Sequence, residues 1–325
     1  MADAPPEGAA LVVDVVVVGG GPAGLSAALN LARARTTVLV VDAGRPRNAA
    51  TLRSHGFLTR DGISPLELRK LARAELSAYP TVRVLDRTNL TALGTAEPPV
   101  DAADGIRFVA TVKSHRSGAP AVVAARSAVI ATGLRETLPA IPSLRGFYGM
   151  SLFSCAACDA WELQDRPLAL IGETPDLPAR ARLIARWTDD LTVFTNGADV
   201  VETVEEAELA ASGIVVERRR IDDLEGDRGA VSAVRLQDGT RIAVAGGFVR
   251  PHWDPALEFL GRLDVDRDPD GHLLVDRSGR TSVAGLYAAG DAAAPGPQQL
   301  IVAAGQGARV AAVLVHDQLG VSTAH

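Results

Sequence analysis

The run from Val12 to Val18, broken only by Asp14, leads straight into Gly19-Gly20-Gly21-Pro22-Ala23-Gly24. A stretch so rich in β-branched residues is predicted to form a buried strand. Leu25 to Ala34 then has helical periodicity, and Thr37 to Val41 reads as a second strand that ends in Asp42. The spacing G-x-G-x-x-G says little alone. Set between a strand and a helix, with an acidic residue closing the next strand, it fits a dinucleotide-binding βαβ unit. In such a unit Gly19 makes the tight turn and Gly21 lets the backbone approach a pyrophosphate. Pro22 and Ala23 belong to the same cofactor-contacting turn. Gly24 lets helix and strand pack closely, and Asp42 accepts a bond from a ribose hydroxyl.

One unit of this kind cannot account for 325 residues, a length that suggests about two domains. The apolar fraction is 47% with only 4% aromatic residues, which suits an α/β chain whose parallel strands are buried on both faces. A net charge of −6 without long runs points to neither nucleic acid nor an anionic membrane as partner. The stretch Leu11–Val18 is too short to span a bilayer. The start, Met-Ala-Asp-Ala-Pro-Pro-Glu-Gly, has no basic region of a signal peptide, so a cytoplasmic location is expected.

Downstream of Asp42 the chain turns polar and turn-rich through Gly62, the composition of a long functional loop. Ser64-Pro65-Leu66-Glu67 opens a helix to about Ala78, with Ser64 as cap and Glu67 completing a capping box. Strands are expected at Val82–Leu85, Phe108–Val112, Ala121–Ala125 and Ser127–Ile130, with turns at 101–105 and 114–120. The last strand ends in Ala131-Thr132-Gly133.

Both cysteines of the chain lie in Ser154-Cys155-Ala156-Ala157-Cys158-Asp159-Ala160-Trp161-Glu162. Two thiols at this spacing can close a disulfide, and a helical run after them places Cys155 near unpaired backbone N–H groups that favour a thiolate. A structural zinc site needs four ligands. No second Cys or His pair at metal spacing completes one, so no metal is expected.

Gly19-x-Gly21-x-x-Gly24, Ala131-Thr132-Gly133, Cys155-x-x-Cys158-Asp159 and Gly285-Leu286-Tyr287-Ala288-Ala289-Gly290-Asp291 occur in that order. Together they resemble the low-molecular-weight thioredoxin reductases, FAD-dependent disulfide oxidoreductases, over nearly the whole chain. The resemblance implies an α/β protein of two Rossmann-like, three-layer ββα nucleotide-binding domains, the second inserted into the first. The FAD domain would comprise residues 1–138 and 246–325, and the inserted Cys-x-x-Cys domain residues 139–245. It implies a homodimer. It further implies that Gly290 and Asp291 meet the ribityl-phosphate region and that Gln298, Gln299 and Leu300 lie beside the isoalloxazine. Arg47 and Asn48 fall where the family's loop reaches the flavin, and Val84 where a strand edge passes the adenine. Cys158 resembles the thiol that faces the flavin, Cys155 the thiol that attacks substrate, and Asp159 the proton donor and acceptor. His55, in the polar loop after Asn48, is a further candidate for the flavin environment.

A member using NADPH needs a second fingerprint after the Cys pair. Here the strand Pro167–Ile171 is followed by Gly172 and then by Glu173-Thr174-Pro175-Asp176, without the second and third glycines. Carboxylates in that turn oppose a pyrophosphate. After Thr195 the chain reads Asn196-Gly197-Ala198-Asp199, lacking the family's arginines for the 2′-phosphate. A helix from Ala179 to Arg186 and a strand from Leu191 still follow the altered turn. This pattern resembles the gliotoxin- and holomycin-type dithiol oxidases, which close a disulfide in a small natural product and pass electrons through FAD to O2. Several of those carry His where this chain has Asp159. Alternatives are a thioredoxin reductase fed by NAD(P)H or ferredoxin, and a non-catalytic flavoprotein redox sensor. His252 and Trp253 read as packing residues, and Glu202–Glu208 as a solvated helix face.

Overall fold

The computed structural model describes residues 11–96, 105–116, 118–261, 263–293 and 296–322. In chain order the first segment forms β1 (Leu11–Val18), α1 (Pro22–Arg33), β2 (Val38–Asp42), α2 (Pro65–Leu76), β3 (Val82–Asp86), β4 (Thr88–Thr95), β5 (Phe108–Ser114), β6 (Pro120–Ile130) and β7 (Leu134–Thr137). Next come α3 (Leu144–Phe147), β8 (Leu152–Phe153), α4 (Ala156–Asp159), β9 (Leu168–Gly172), α5 (Leu177–Ile184) and β10 (Leu191–Phe194). They are followed by α6 (Thr203–Ala211), β11 (Val215–Glu217), β12 (Ile221–Asp227), β13 (Ala230–Leu236), β14 (Arg241–Ala243) and β15 (Gly247–Arg250). The last segment forms β16 (His252–Pro255), β17 (Leu286–Ala288) and α7 (Leu300–Leu319).

The first sheet has the order β3-β2-β1-β6-β5-β4. Its core β3-β2-β1-β6 is parallel, whereas β5 and β4 are antiparallel. Along its far edge β6 pairs first with β5 and then, through Ala128–Ile130, with β17. Strand alternation sends Val16, Val18, Leu39 and Val41 into one buried cluster and Val15, Val17, Val38 and Val40 into another. A strand apolar at every position needs cover on both faces. Helices α1 and α7 cover one face, and Leu257, Leu260 and Leu273 help cover the other. The interrupting Asp14 is satisfied at the sheet end, where its Oδ2 accepts from Thr37 N at 2.9 Å and Thr37 Oγ1 at 2.6 Å.

By length and composition α7 has what a membrane span needs. Its small-residue face packs on α1 instead. A Cβ on Gly307 would stand 2.0 Å from the Ala23 carbonyl oxygen, so only glycine permits that approach.

The second sheet runs β11-β10-β9-β15-β8, all parallel, between two buried clusters. The antiparallel sheet β12-β13-β14 packs on one of its faces. The molecule is thus an α/β protein with two three-layer units.

Several local expectations shift. Strand β15 pairs with β9 and β8, so Gly247–Arg250 belongs to the second sheet. After Arg250 the chain enters β16, which pairs with β7 in a separate two-stranded sheet. Ser64 is the N-cap of α2 with Pro65 in the first turn, but its side chain makes no capping bond. The capping box lies instead at α6, between Glu202 and Glu205. Ala121–Ala125 and Ser127–Ile130 form one strand. The expected turn at 101–105 falls, except for Gly105, outside the described residues, as does the N-terminal segment read for a leader.

Candidate active site

A cleft of about 680 Å³ opens at the carboxyl ends of the first sheet's strands. Its walls are the Gly19–Ala23 turn, Ala131, Thr132 and Gly133 after β6, Gly290 and Asp291 after β17, and Gln298–Leu300 at the start of α7. Gly19 has φ +115°, and a Cβ there would lie 2.2 Å from the Ala131 carbonyl oxygen. By contrast a Cβ on Gly21 meets nothing within 4 Å, so the backbone at the N-terminus of α1 faces open cleft. That is the approach a pyrophosphate needs. A Cβ on Gly24 would strike Gly19 O at 2.0 Å, which marks the close helix–strand contact. Thr132 Oγ1 is buried without a hydrogen-bond partner among the described residues, as a ligand-facing hydroxyl would be. These features fit the dinucleotide half of FAD.

Three residues expected at the cofactor stand differently. Asp42 does line the cleft, but its carboxylate is already occupied. Oδ1 accepts from Gly44 N at 2.8 Å, and Oδ2 accepts from Arg69 and Arg73 of α2. These bonds tie α2 to the end of β2. Val84 packs against the cluster formed by α1 and the sheet and is not a wall of the cleft. The wall there is Thr88–Thr91 of β4, a polar strand that apolar patterning does not reveal. His55 is drawn away from the cleft by the loop, which folds back through the Ser54–Ile63 bridge. It lines the neighbouring cavity instead.

That second cavity, about 480 Å³, holds Cys155, Cys158 and Asp159. Arg47, Asn48, Gln298, Gln299 and Leu300 line both spaces and so mark where they meet. Arg47 is fixed at this junction. Its Nη2 donates to Asp291 Oδ2 at 2.8 Å, and its Nη1 donates to Gln298 Oε1 at 3.2 Å and approaches Glu136 at 3.5 Å. Burial raises the pKa of Asp291 despite the opposing Arg47 charge. Glu136, which sequence reasoning missed, also accepts from Tyr148 Oη at 2.9 Å and Trp253 Nε1 at 3.0 Å. Burial first, and then the Glu136 charge, push the Tyr148 phenol well above its ordinary value. Trp253 therefore lines the cavity, while His252 is exposed beside Asp254.

The two cysteines are joined in a disulfide, with Cα atoms 5.3 Å apart. Cys155 is the N-cap of α4, and the N–H groups of Cys158 and Asp159 both point at its carbonyl oxygen at 3.2 Å. The helix is a single turn followed by a 3₁₀ turn, shorter than the run Ala156–Leu163 allows. Asp159 is held up to about 7 by burial, with His55 pulling down and Glu162 pushing up. His55 bridges toward Asp61 and Glu162, each at 3.6 Å. Asp159 thus titrates where an imidazole ordinarily would.

At the second-sheet turn, Asp176 is the N-cap of α5. Its carboxylate takes hydrogen bonds from Arg250 Nε at 2.8 Å and Arg180 Nε at 2.7 Å, and Thr174 Oγ1 donates at 2.6 Å. Against the upward push of burial these partners hold it down at about 2. A permanent carboxylate therefore sits where a pyrophosphate would bind. Beyond it, Asp199, Glu202, Glu205 and Glu206 line an acidic recess. Arg218, its cation, is paired with Glu206 at 2.8 Å and Asp199 at 3.1 Å.

A family model described as pyridine nucleotide-disulphide oxidoreductase matches residues 13–307. A solved structure, the putative thioredoxin reductase TrxB from Bacillus anthracis, is 34% identical with a TM-score of 0.85, covering 95% of this chain and 99% of that one. The structure of HlmI is 33% identical with a TM-score of 0.86, covering 95% and 93%. A probable thioredoxin reductase from Arthroderma benhamiae is 33% identical over 60% of this chain, a match that spans 46% of that protein.

Proposed function

Because the chain belongs to the pyridine nucleotide-disulphide oxidoreductase family and is thioredoxin-reductase-like across nearly its whole length, we propose that it works as a dithiol oxidase. The net reaction is R(SH)2 + O2 → R(S–S) + H2O2. The observation that carries this reading is the Asp176 carboxylate, fixed by Arg180 and Arg250 in the turn where a nicotinamide donor's pyrophosphate would lie. The acidic recess beside Arg218 opposes a 2′-phosphate as well. Without a hydride donor, electrons enter from substrate thiols.

FAD is the family's cofactor, and bound in the first cleft it would supply a two-electron acceptor for the enzyme dithiol, one that O2 can reoxidise. The protein's own residues do the rest. A substrate thiolate attacks Cys155 Sγ, the Cys155–Cys158 bond breaks, and Cys158 leaves as a thiolate. The second substrate thiolate attacks the substrate sulfur of the mixed disulfide, releasing the product disulfide and the Cys155 thiolate. Asp159, with a pKa of about 7, takes up and returns protons during these exchanges. Arg47 and Asn48 hold the junction between the two cavities.

The name borne by the Bacillus anthracis protein favours a second reading, a thioredoxin reductase fed by NAD(P)H or ferredoxin. One experiment separates the oxidase from a reductase fed by NADPH. The yellow protein is mixed anaerobically with NADPH or with a small dithiol such as dithiothreitol. Rapid bleaching by the dithiol and little by NADPH is the expected result, with peroxide matching dithiol consumed in air. Rapid bleaching by micromolar NADPH would falsify the oxidase reading. In the same reading the enzyme is a cytoplasmic homodimer, and the two sheets are two domains that meet after Arg250.

A further inference from the structure

Resting on the dithiol-oxidase reading, we propose that Arg180 determines specificity in the disulfide cavity and that the dithiol taken there carries a carboxylate. Arg180, in the first turns of α5, lines the same 480 Å³ space as Cys155 and Cys158. That volume fits a small molecule rather than a protein segment. Its Nε donates to Asp176 at 2.7 Å, and its guanidinium carbon lies 5.2 Å from the Trp253 ring centroid. Trp253 is itself pinned through Nε1 to Glu136 at 3.0 Å. The guanidinium is thus held along one edge by a carboxylate and across one face by an indole. Among the described residues its two terminal nitrogens have no hydrogen-bond partner, and the side chain is 28% exposed.

The charge around the cavity is uneven. Arg180, on the cavity wall, shares the single carboxylate of Asp176 with Arg250, which lines a neighbouring recess. Arg47, 5.8 Å from the same Trp253 ring, is paired with both Asp291 and Glu136. Arg53, His55 and Asp159 also border the space. Arg180 therefore shares one carboxylate with a second guanidinium, whereas Arg47 is paired with two carboxylates. A rigid guanidinium with two free N–H2 groups matches a carboxylate in geometry and charge better than any neutral acceptor. The altered turn that opposes a nicotinamide cofactor thereby gains a constructive role. It orients the cation that receives the substrate.

The probes are dihydrolipoate, a small dithiol with a carboxylate, and its neutral amide dihydrolipoamide. With the FAD-loaded enzyme, kcat/KM for the acid is expected to exceed that for the amide by about tenfold, the scale of one charge-assisted hydrogen bond. The ratio should fall toward one in Arg180→Gln and recover in part in Arg180→Lys, with the change carried by KM. Raising the salt concentration should lower the ratio in the native enzyme only. Equal use of acid and amide by the native enzyme overturns the proposal, as does an unchanged ratio in Arg180→Gln. Failure of both dithiols to reduce the flavin anaerobically would instead sink the dithiol-oxidase reading and this inference with it.

Discussion

Arg47 donates from Nη2 to Asp291 Oδ2 at 2.8 Å, joining two residues 244 positions apart in the chain. The bond ties the loop after β2 to the segment after β17 at the mouth between the two cavities. Without Arg47 the half-buried Asp291 loses the charge that opposes its raised pKa. Arg47→Gln is expected to lower FAD retention on gel filtration. It should also cost between about 1 kcal/mol, as for exposed pairs, and about 3 kcal/mol, as for buried ones. A carboxyl with a raised folded pKa binds more protons folded than unfolded, so stability is lost as pH rises through that pKa. The variant's deficit should therefore be larger at pH 8 than at pH 5. Equal retention and a flat pH difference would show the pair to be incidental.

Gly21→Glu separates the fold from its cofactor. The space beyond Gly21 is open and its φ is −85°, so the variant should unfold close to the temperature of the native protein stripped of FAD. The new carboxylate then faces the pyrophosphate position. The expected preparation is folded and colourless; a fully yellow one would mean that the phosphates lie elsewhere.

Cys155→Ser and Cys158→Ser should both stop dithiol turnover, yet differ in colour. If Cys158 is the thiol next to the flavin, only Cys155→Ser should show a long-wavelength absorbance band at neutral pH. Exchange of the two spectra would exchange the roles of the two sulfurs.

Asp159 offers a pH test. Its folded pKa of about 7 lies above the ordinary carboxylate value, so the protonated form is favoured by folding. The thiol steps that need a proton acceptor should quicken as pH rises through about 7, and Asp159→Asn should slow them and remove that inflection. Stability moves the other way. The native protein should lose it between about pH 4 and 7 as pH rises, and Asp159→Asn should not. Stopped-flow reduction by dithiol and melting curves at several pH values read the two effects separately.

The parts legible in the sequence were those made by neighbours in the chain. The β1–turn–α1 unit and the Cys155–Cys158 pair depend on spacings of a few residues, and both sit where the pattern put them. Positions that depend on distant pairing were harder to read. Val84 and Thr88 lie close together in sequence, yet only pairing of β4 with β5 brings Thr88–Thr91 to the cleft. His55 follows Asn48 closely, but the Ser54–Ile63 bridge turns it toward the disulfide. Glu136, Tyr148 and Arg180 carry no local motif. They become a site only when β7, α3 and α5 meet across the cavity.

The pairing of β17 with β6 sets an order of assembly. Every strand of the second sheet lies between Leu152 and Arg250, whereas the first sheet still lacks Leu286–Ala288 and its covering helix α7. On a chain growing from the ribosome, the disulfide-bearing unit has all its strands while the flavin-binding unit remains open along β6. Cysteine oxidation can thus precede completion of the cofactor cleft, and a chain cut short before Leu286 would retain its thiols without a finished place for FAD.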